Sequence, residues 1–132
     1  IENRKSKIEN SLLSFHDVHF TYPGASWAQL NGMSLDVRAG DVIALIGPNG
    51  AGKSTLCKLA IGINRPDAGD VLIGERNAKD MTVAQIVREV GYVFQNPAAM
   101  LFANALRDEL GFGPHNVTGS VPVPWNCSRG AY

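Results

Sequence analysis

Cysteine is scarce in this sequence: Cys57 and Cys127 stand 70 residues apart, in no CxxC or Cys/His cluster. They offer neither a disulfide framework nor a zinc site, and a reducing, cytosolic setting fits best. An excess of either charge is also missing. Twelve Lys and Arg balance twelve Asp and Glu, so no overall field draws the chain to nucleic acid or to an anionic membrane surface. The longest apolar runs, such as Val42 to Ile46, fall far below the roughly 20 residues of a membrane helix, and the first residues hold no signal-peptide apolar core. We therefore expect no membrane span. The chain begins with Ile1 rather than methionine, which suggests a segment of a longer polypeptide. Its 132 residues, 45% hydrophobic, suffice for one core and not for two ordinary domains.

What is present falls into three stretches. Residues 1–11 are polar, charged and without period, as in a linker or mobile arm. From Leu12 to Tyr22, Leu13, Phe15, Val18 and Phe20 alternate with a slip at Asp17, which predicts a half-buried strand with an irregularity. Pro23-Gly24 turns the chain, and Met33 to Arg38 alternates again as an antiparallel partner. After the turn Ala39-Gly40-Asp41, the unbroken apolar run Val42 to Ile46 predicts a parallel strand covered on both faces. Lys53 to Ile61 has Leu56, Leu59 and Ala60 at helical spacing, with Gly62 as the stop. Asp70 to Ile73 is a short strand. Thr82 caps a helix whose Val83, Ile86 and Val87 share a face and which ends at Glu89. Val90 to Phe94 predicts a second central strand delivering Gln95 to its end. Asn104 to Leu110 is a short helix and Gly111 to Pro114 a loop. The last stretch, 117–132, is rich in turn formers.

One motif carries chemistry. Gly47-Pro48-Asn49-Gly50-Ala51-Gly52-Lys53-Ser54 fits GxxxxGK[ST], between a predicted buried strand and a predicted helix, the context the pattern requires. Glycines let the backbone turn so that successive N–H groups point inward as an anion nest, to which the helix adds its positive end. Lys53 brings a mobile charge for β- and γ-phosphates. The Ser54 hydroxyl suits a magnesium ion bridging them, and Thr55 adds a further contact. This much points to a bound nucleoside triphosphate and leaves the kind of protein open.

GPNGAGKSTL, Gly47 to Leu56, resembles the Walker A form of ATP-binding-cassette (ABC) proteins. FTYPG at Phe20 to Gly24 is similar to the family's A-loop, which implies that Tyr22 stacks on adenine. Taken alone, Tyr22 fits a strand-end ring packed on its turn equally well. VGYVFQNP, Val90 to Pro97, resembles the Q-loop, with Gln95 placed 42 residues after Lys53. The resemblance implies that the Gln95 amide touches magnesium or its water and couples nucleotide state to the region beyond. Leu101 to Asn116 looks like the segment after the Q-loop in the energy-coupling-factor branch of cobalt, nickel and vitamin importers. Met100, Leu101 and Phe102 there suit a groove for a membrane partner's helix and suit ordinary packing as well.

The resemblance covers Leu12 to Asn116. It implies an α/β fold: a P-loop NTPase, RecA-like core with an N-terminal antiparallel β-subdomain, incomplete at the C-terminus. Residues 12–116 would be a partial nucleotide-binding domain, and 117–132 a tail that does not match the family. The ligands implied are ATP and Mg2+, with Lys53 and Gln95 catalytic and Ser54 and Gln95 at the metal. The partners implied are a second ABC ATPase domain, as a homo- or heterodimer, and a transmembrane component docking near Gln95 to Phe102. The setting would be cytoplasmic, on the inner face of the cell membrane. No segment matches an LSGGQ-type signature, a Walker B strand or a switch histidine, so the chain alone is expected to be inactive as an ATPase. A nucleotide-binding module without hydrolysis and a non-transport ABC ATPase stay open as alternatives. Asp108-Glu109 reads as a solvated helix face; His16, His19 and His115 read as bystanders; Trp125 and Cys127 receive no role.

Overall fold

Residues 11–96, 101, 103–104 and 106–119 are described by the structure, a computed structural model. They fall into two compact units divided after Tyr92.

The first unit is built on an antiparallel sheet in the order β2-β1-β3-β4, with β1 Ser11–Phe20, β2 Leu30–Arg38, β3 Ala68–Ile73 and β4 Arg76–Asn77. Alternation along β1 buries Phe15, Val18 and Phe20. The slip expected at Asp17 is a real irregularity. Asp17 has φ 49°, and the register shifts there against both neighbours, between Phe15 and Val18 facing β2 and between His16 and His19 facing β3. An extra residue in one strand bends it and re-aims the side chains beyond the bend.

Two helices complete the core. In α1, Lys53–Ala60, the buried residues are Thr55, Leu56, Leu59 and Ala60, on the spacing the sequence shows. The helix stops where the Gly62 N–H meets the Leu59 carbonyl at 3.1 Å. In α2, Val83–Glu89, Thr82 and Gln85 cap each other reciprocally, which satisfies two amide groups that the helix cannot. Phe15, Val18, Leu59, Val71 and Ile86 are almost wholly buried in one cluster; each contributes about 1.5–3 kcal/mol through removal from water. The apolar face expected of α2 shrinks to Ile86, because Val83 and Val87 keep 43% and 47% of their surface exposed. Between β4 and α2, a 3₁₀ turn Ala78–Asp80 is held by Arg65, whose guanidinium donates to the carbonyls of Ala78 and Met81. Neither β4 nor this turn was legible in the sequence.

Two expected strands are not formed. Val42 to Ile46 lies outside any ladder, with Val42 fully exposed and Ile46 93% exposed. Gly91 to Phe94 is likewise outside any ladder, and Val90 is instead the C-cap of α2, its N–H on the Ile86 carbonyl. A strand exists only where neighbouring backbone takes up its N–H and C=O groups. Among the described residues no strand pairs with either segment.

In the second unit α3 spans Leu106–Thr118, so the short helix expected at Asn104 to Leu110 runs on through the loop expected at Gly111 to Pro114. Pro114 removes one helical donor, and the Asn116 side chain donates to the Phe112 carbonyl at 2.8 Å in the same stretch. Asp108 is exposed, as expected of a solvated face. Glu109 is not merely solvated: its carboxylate accepts the Ala103 N–H at 2.7 Å. Residues 1–10 of the expected arm, 120–132 of the expected tail with Trp125 and Cys127, and Pro97, Met100 and Phe102 lie outside the described residues.

One carboxylate makes the sheet pH-sensitive. Asp70 on β3 accepts from the Asn77 amide at 2.9 Å and from Lys79 Nζ at 3.1 Å, and these partners, Asn77 first, hold its pKa below the ordinary 3.8. Such a group contributes stability that is complete above its unfolded pKa and is lost as pH falls through the lowered folded value. For an exposed cluster the contribution is under about 1 kcal/mol. Urea unfolding between pH 2 and 6 should show a shallower acid loss in Asp70→Asn than in the unsubstituted chain.

Candidate nucleotide site

The loop Gly47 to Gly52 joins the exposed apolar run to α1, and its geometry is set from below by the start of β2. Gly52 is the N-cap of α1 at φ 86°. A Cβ there would lie 2.7 Å from Leu30 Cδ2 and 3.1 Å from the Gln29 carbonyl oxygen, so only glycine lets the loop settle this closely. No side chain caps α1, and its first turn holds no acidic residue. The opening N–H groups of the helix, with their partial positive charge, are thus left to a ligand, and no carboxylate opposes an anion there.

Lys53 is half-buried and folds back over its own loop. Its Nζ donates to the carbonyls of Gly47 at 2.8 Å and Pro48 at 2.7 Å. The Pro48 carbonyl also takes the Ala51 N–H at 3.2 Å. The cation and that amide therefore converge on one oxygen in the mouth of the loop, the arrangement from which both can turn to a phosphate. Ser54 is exposed in the first turn of α1, and Thr55 beside it is buried.

Tyr22 meets the first turn of α1 although 31 residues separate it from Lys53. The Thr21 N–H donates to the Asp67 carboxylate at 2.7 Å, and the Asp67 N–H donates to the His19 carbonyl at 2.9 Å. The Ala25 N–H closes the Pro23-Gly24 turn onto the Tyr22 carbonyl at 2.9 Å. So placed, the half-buried ring meets Phe20 edge to face, centroids 4.9 Å apart, and its hydroxyl is 3.0 Å from Thr55 Oγ1. The structure thus joins Tyr22 to Thr55, at the end of the stretch Gly47, Pro48, Asn49, Gly50, Ala51, Gly52, Lys53, Ser54 and Thr55, and packs its ring against the core. Gln95 belongs to the second unit, where it is exposed.

Gln29 enters the site without any signal in the motif: its side-chain Nε2 donates to the Gly50 carbonyl. A lone glutamine in a turn carries no pattern, and nothing but the fold could reveal it. His16 and His19 are engaged within the sheet, His16 lying 3.6 Å from Asp36 and His19 3.4 Å from Asp17. A surface hollow lined by His16, Ser34, Asp36 and Arg38 shares no residue with the loop. Among the described residues, no helix is long and apolar enough to cross a membrane.

Comparison with known proteins gives the family. Residues 30–117 match the family model described as ABC transporter. An ATP-binding protein of Nitratidesulfovibrio vulgaris, assigned by name to ABC transporters, is 40% identical over 111 residues, covering 82% of this chain and 40% of that protein. The energy-coupling factor transporter ATP-binding protein EcfA of Methanothermobacter thermautotrophicus is 43% identical over 109 residues, covering 80% and 34%. Among solved structures, CbiO1 of Clostridium perfringens, part of the ABC transporter complex CbiONQ, superposes with a TM-score of 0.70 at 28% identity, over 82% of this chain and 43% of that one. The chain thus spans about two-fifths or less of the length of these relatives. Its α/β fold is that of the P-loop ATPase CbiO1, and the chain belongs to the ABC transporter family, among its ATP-binding proteins.

Proposed function

We propose that this chain is the ATP-binding front part of an importer subunit of the energy-coupling-factor kind, and that by itself it binds ATP without hydrolysing it. The observation that carries the reading is Lys53, poised on two carbonyls at the uncapped start of α1. Lys53 exchanges these neutral acceptors for β- and γ-phosphate oxygens, a charge-assisted contact of about twice the strength. The α1 amides and the Gly50-Ala51-Gly52 backbone hold the remaining oxygens. The exposed Ser54 hydroxyl would hold Mg2+, which would supply positive charge to offset the negative charge of the phosphates. Tyr22 offers its ring to adenine, with Thr55 anchoring its hydroxyl. Gln95 is proposed to sense the metal or its water.

Support for the importer branch comes from EcfA and CbiO1. The whole subunit would pair with a second ATPase domain, dock through the region of Gln95 to Phe102 onto a membrane component, and so work at the cytoplasmic face of the cell membrane. Hydrolysis needs a base to orient water, and no segment of the 132 residues matches the Walker B strand ending in Asp-Glu that would supply it. Calorimetric titration with MgATP, paired with a phosphate-release assay, tests the reading. Saturable binding in the micromolar range with no release above background is expected; absence of saturable binding would sink it.

A further inference from the structure

The phosphate-loop motif runs from Gly47, but the structure ties its apex to a residue from another part of the chain. Gln29 is half-buried just before β2. Its backbone N–H donates to the Phe20 carbonyl at 2.7 Å, which fixes its main chain to the end of β1. Its side-chain Nε2 donates to the Gly50 carbonyl. In a trans peptide the C=O and the next N–H point in opposite directions. A donor that holds the Gly50 carbonyl toward Gln29 therefore holds the Ala51 N–H toward the inside of the loop, where it meets the Pro48 carbonyl at 3.2 Å beside Lys53. Without that tether, the Gly50-Ala51 peptide is held only by the Ala51 N–H on the Pro48 carbonyl at 3.2 Å, a bond that an incoming anion must displace. A rotated unit would present a carbonyl oxygen to an incoming anion in place of an amide hydrogen.

We infer that Gln29 is a positioning residue of the nucleotide site: it fixes the Gly50-Ala51 peptide with its N–H toward the β- and γ-phosphates before any ligand arrives. The inference rests on Gly47 to Thr55 being the phosphate cradle. It concerns the polyphosphate and not the base, and this makes it separable from a general structural role.

The test is Gln29→Met, which keeps the length of the side chain and removes the donor. ATP and inorganic tripolyphosphate should both bind about three- to tenfold more weakly, as expected for one lost hydrogen bond that orients a second. The two losses should be similar, with the melting temperature of the ligand-free protein little changed. Binding within twofold of the unsubstituted chain for both ligands overturns the inference. So does a loss confined to ATP, since Gln29 would then act through the turn that carries Tyr22. Should the variant fail to fold, the unsubstituted chain decides by nitrogen-15 NMR of the Gln29 side-chain amide. Slowed solvent exchange, with a resonance that moves as tripolyphosphate is added, is expected; exchange as fast as in a free glutamine side chain overturns it. A chain that binds no ATP at all removes the proposed function and this inference together, whereas normal binding by Gln29→Met removes only the inference.

Discussion

Lys53→Ala is expected to weaken MgATP binding on the order of a hundredfold while leaving the melting temperature of the ligand-free protein nearly unchanged. Hydrogen bonds to charged groups contribute about 1.5–3 kcal/mol each, and two to phosphate oxygens account for roughly 3 kcal/mol or more, a factor of a hundred or beyond. The folded state loses little, because the carbonyls of Gly47 and Pro48 that now accept from Nζ stand at a water-accessible mouth and can be hydrated instead. Isothermal titration and a thermal melt on the same sample check both halves. An affinity within threefold of the unsubstituted chain would mean that the lysine serves the loop and not the nucleotide.

Gly69→Ala should act in the opposite way, by strongly destabilising the fold. Gly69 has φ 80°, and a Cβ there would lie 2.2 Å from the Asp17 carbonyl oxygen and 2.5 Å from the His16 carbonyl oxygen. Both obstacles are backbone, and Asp17 is itself held at φ 49° by the irregularity in β1. No side chain can swing aside, so β3 must move away from β1 or the bulge must be undone. Overpacking of this kind with a left-handed backbone conformation costs about 3–5 kcal/mol, against a total of roughly 5–15 kcal/mol for a typical domain. Urea unfolding followed by circular dichroism should show the midpoint shifted far to lower denaturant, or no folded baseline. A shift of less than about 1 kcal/mol would show that the two strands have slack.

Much of the fold was legible wherever a local pattern meets a local cause. The break in alternation at Asp17 marked the bulge; Thr82 marked the start of α2; Leu56, Leu59 and Ala60 marked the buried side of α1. Each of these is settled by a few neighbouring residues. Val42 to Ile46 and Val90 to Phe94 were misread because an apolar run records what a segment requires and says nothing of whether partner strands are at hand. Pro114 was misread for a related reason: a proline weakens a helix by one bond, and the flanking turns outweighed it. In the site, the turn from Gly47 and the helix that follows it could be read directly, since both are local. Tyr22 entered the sequence reading only through a resemblance, as a ring for adenine, and nothing in the sequence signalled the approach of its hydroxyl to Thr55. Gln29 was invisible, because its partner, Gly50, lies across the fold and no spacing encodes it.

The exposed run from Val42 to Ile46 leads straight into Gly47, so an exposed apolar stretch and the loop proposed to hold phosphate sit end to end. Buffers will act on these adjoining stretches in two ways at once. Sulfate and phosphate, being excluded from protein surface, strengthen apolar burial and so favour self-association through the first stretch. The same ions are small tetrahedral oxyanions of the kind a helix start and nest of amides attract, and so they compete for the second. Affinities measured in phosphate buffer will therefore come out too weak, on material also more inclined to precipitate, and a chloride buffer of low ionic strength is the better medium for every titration above.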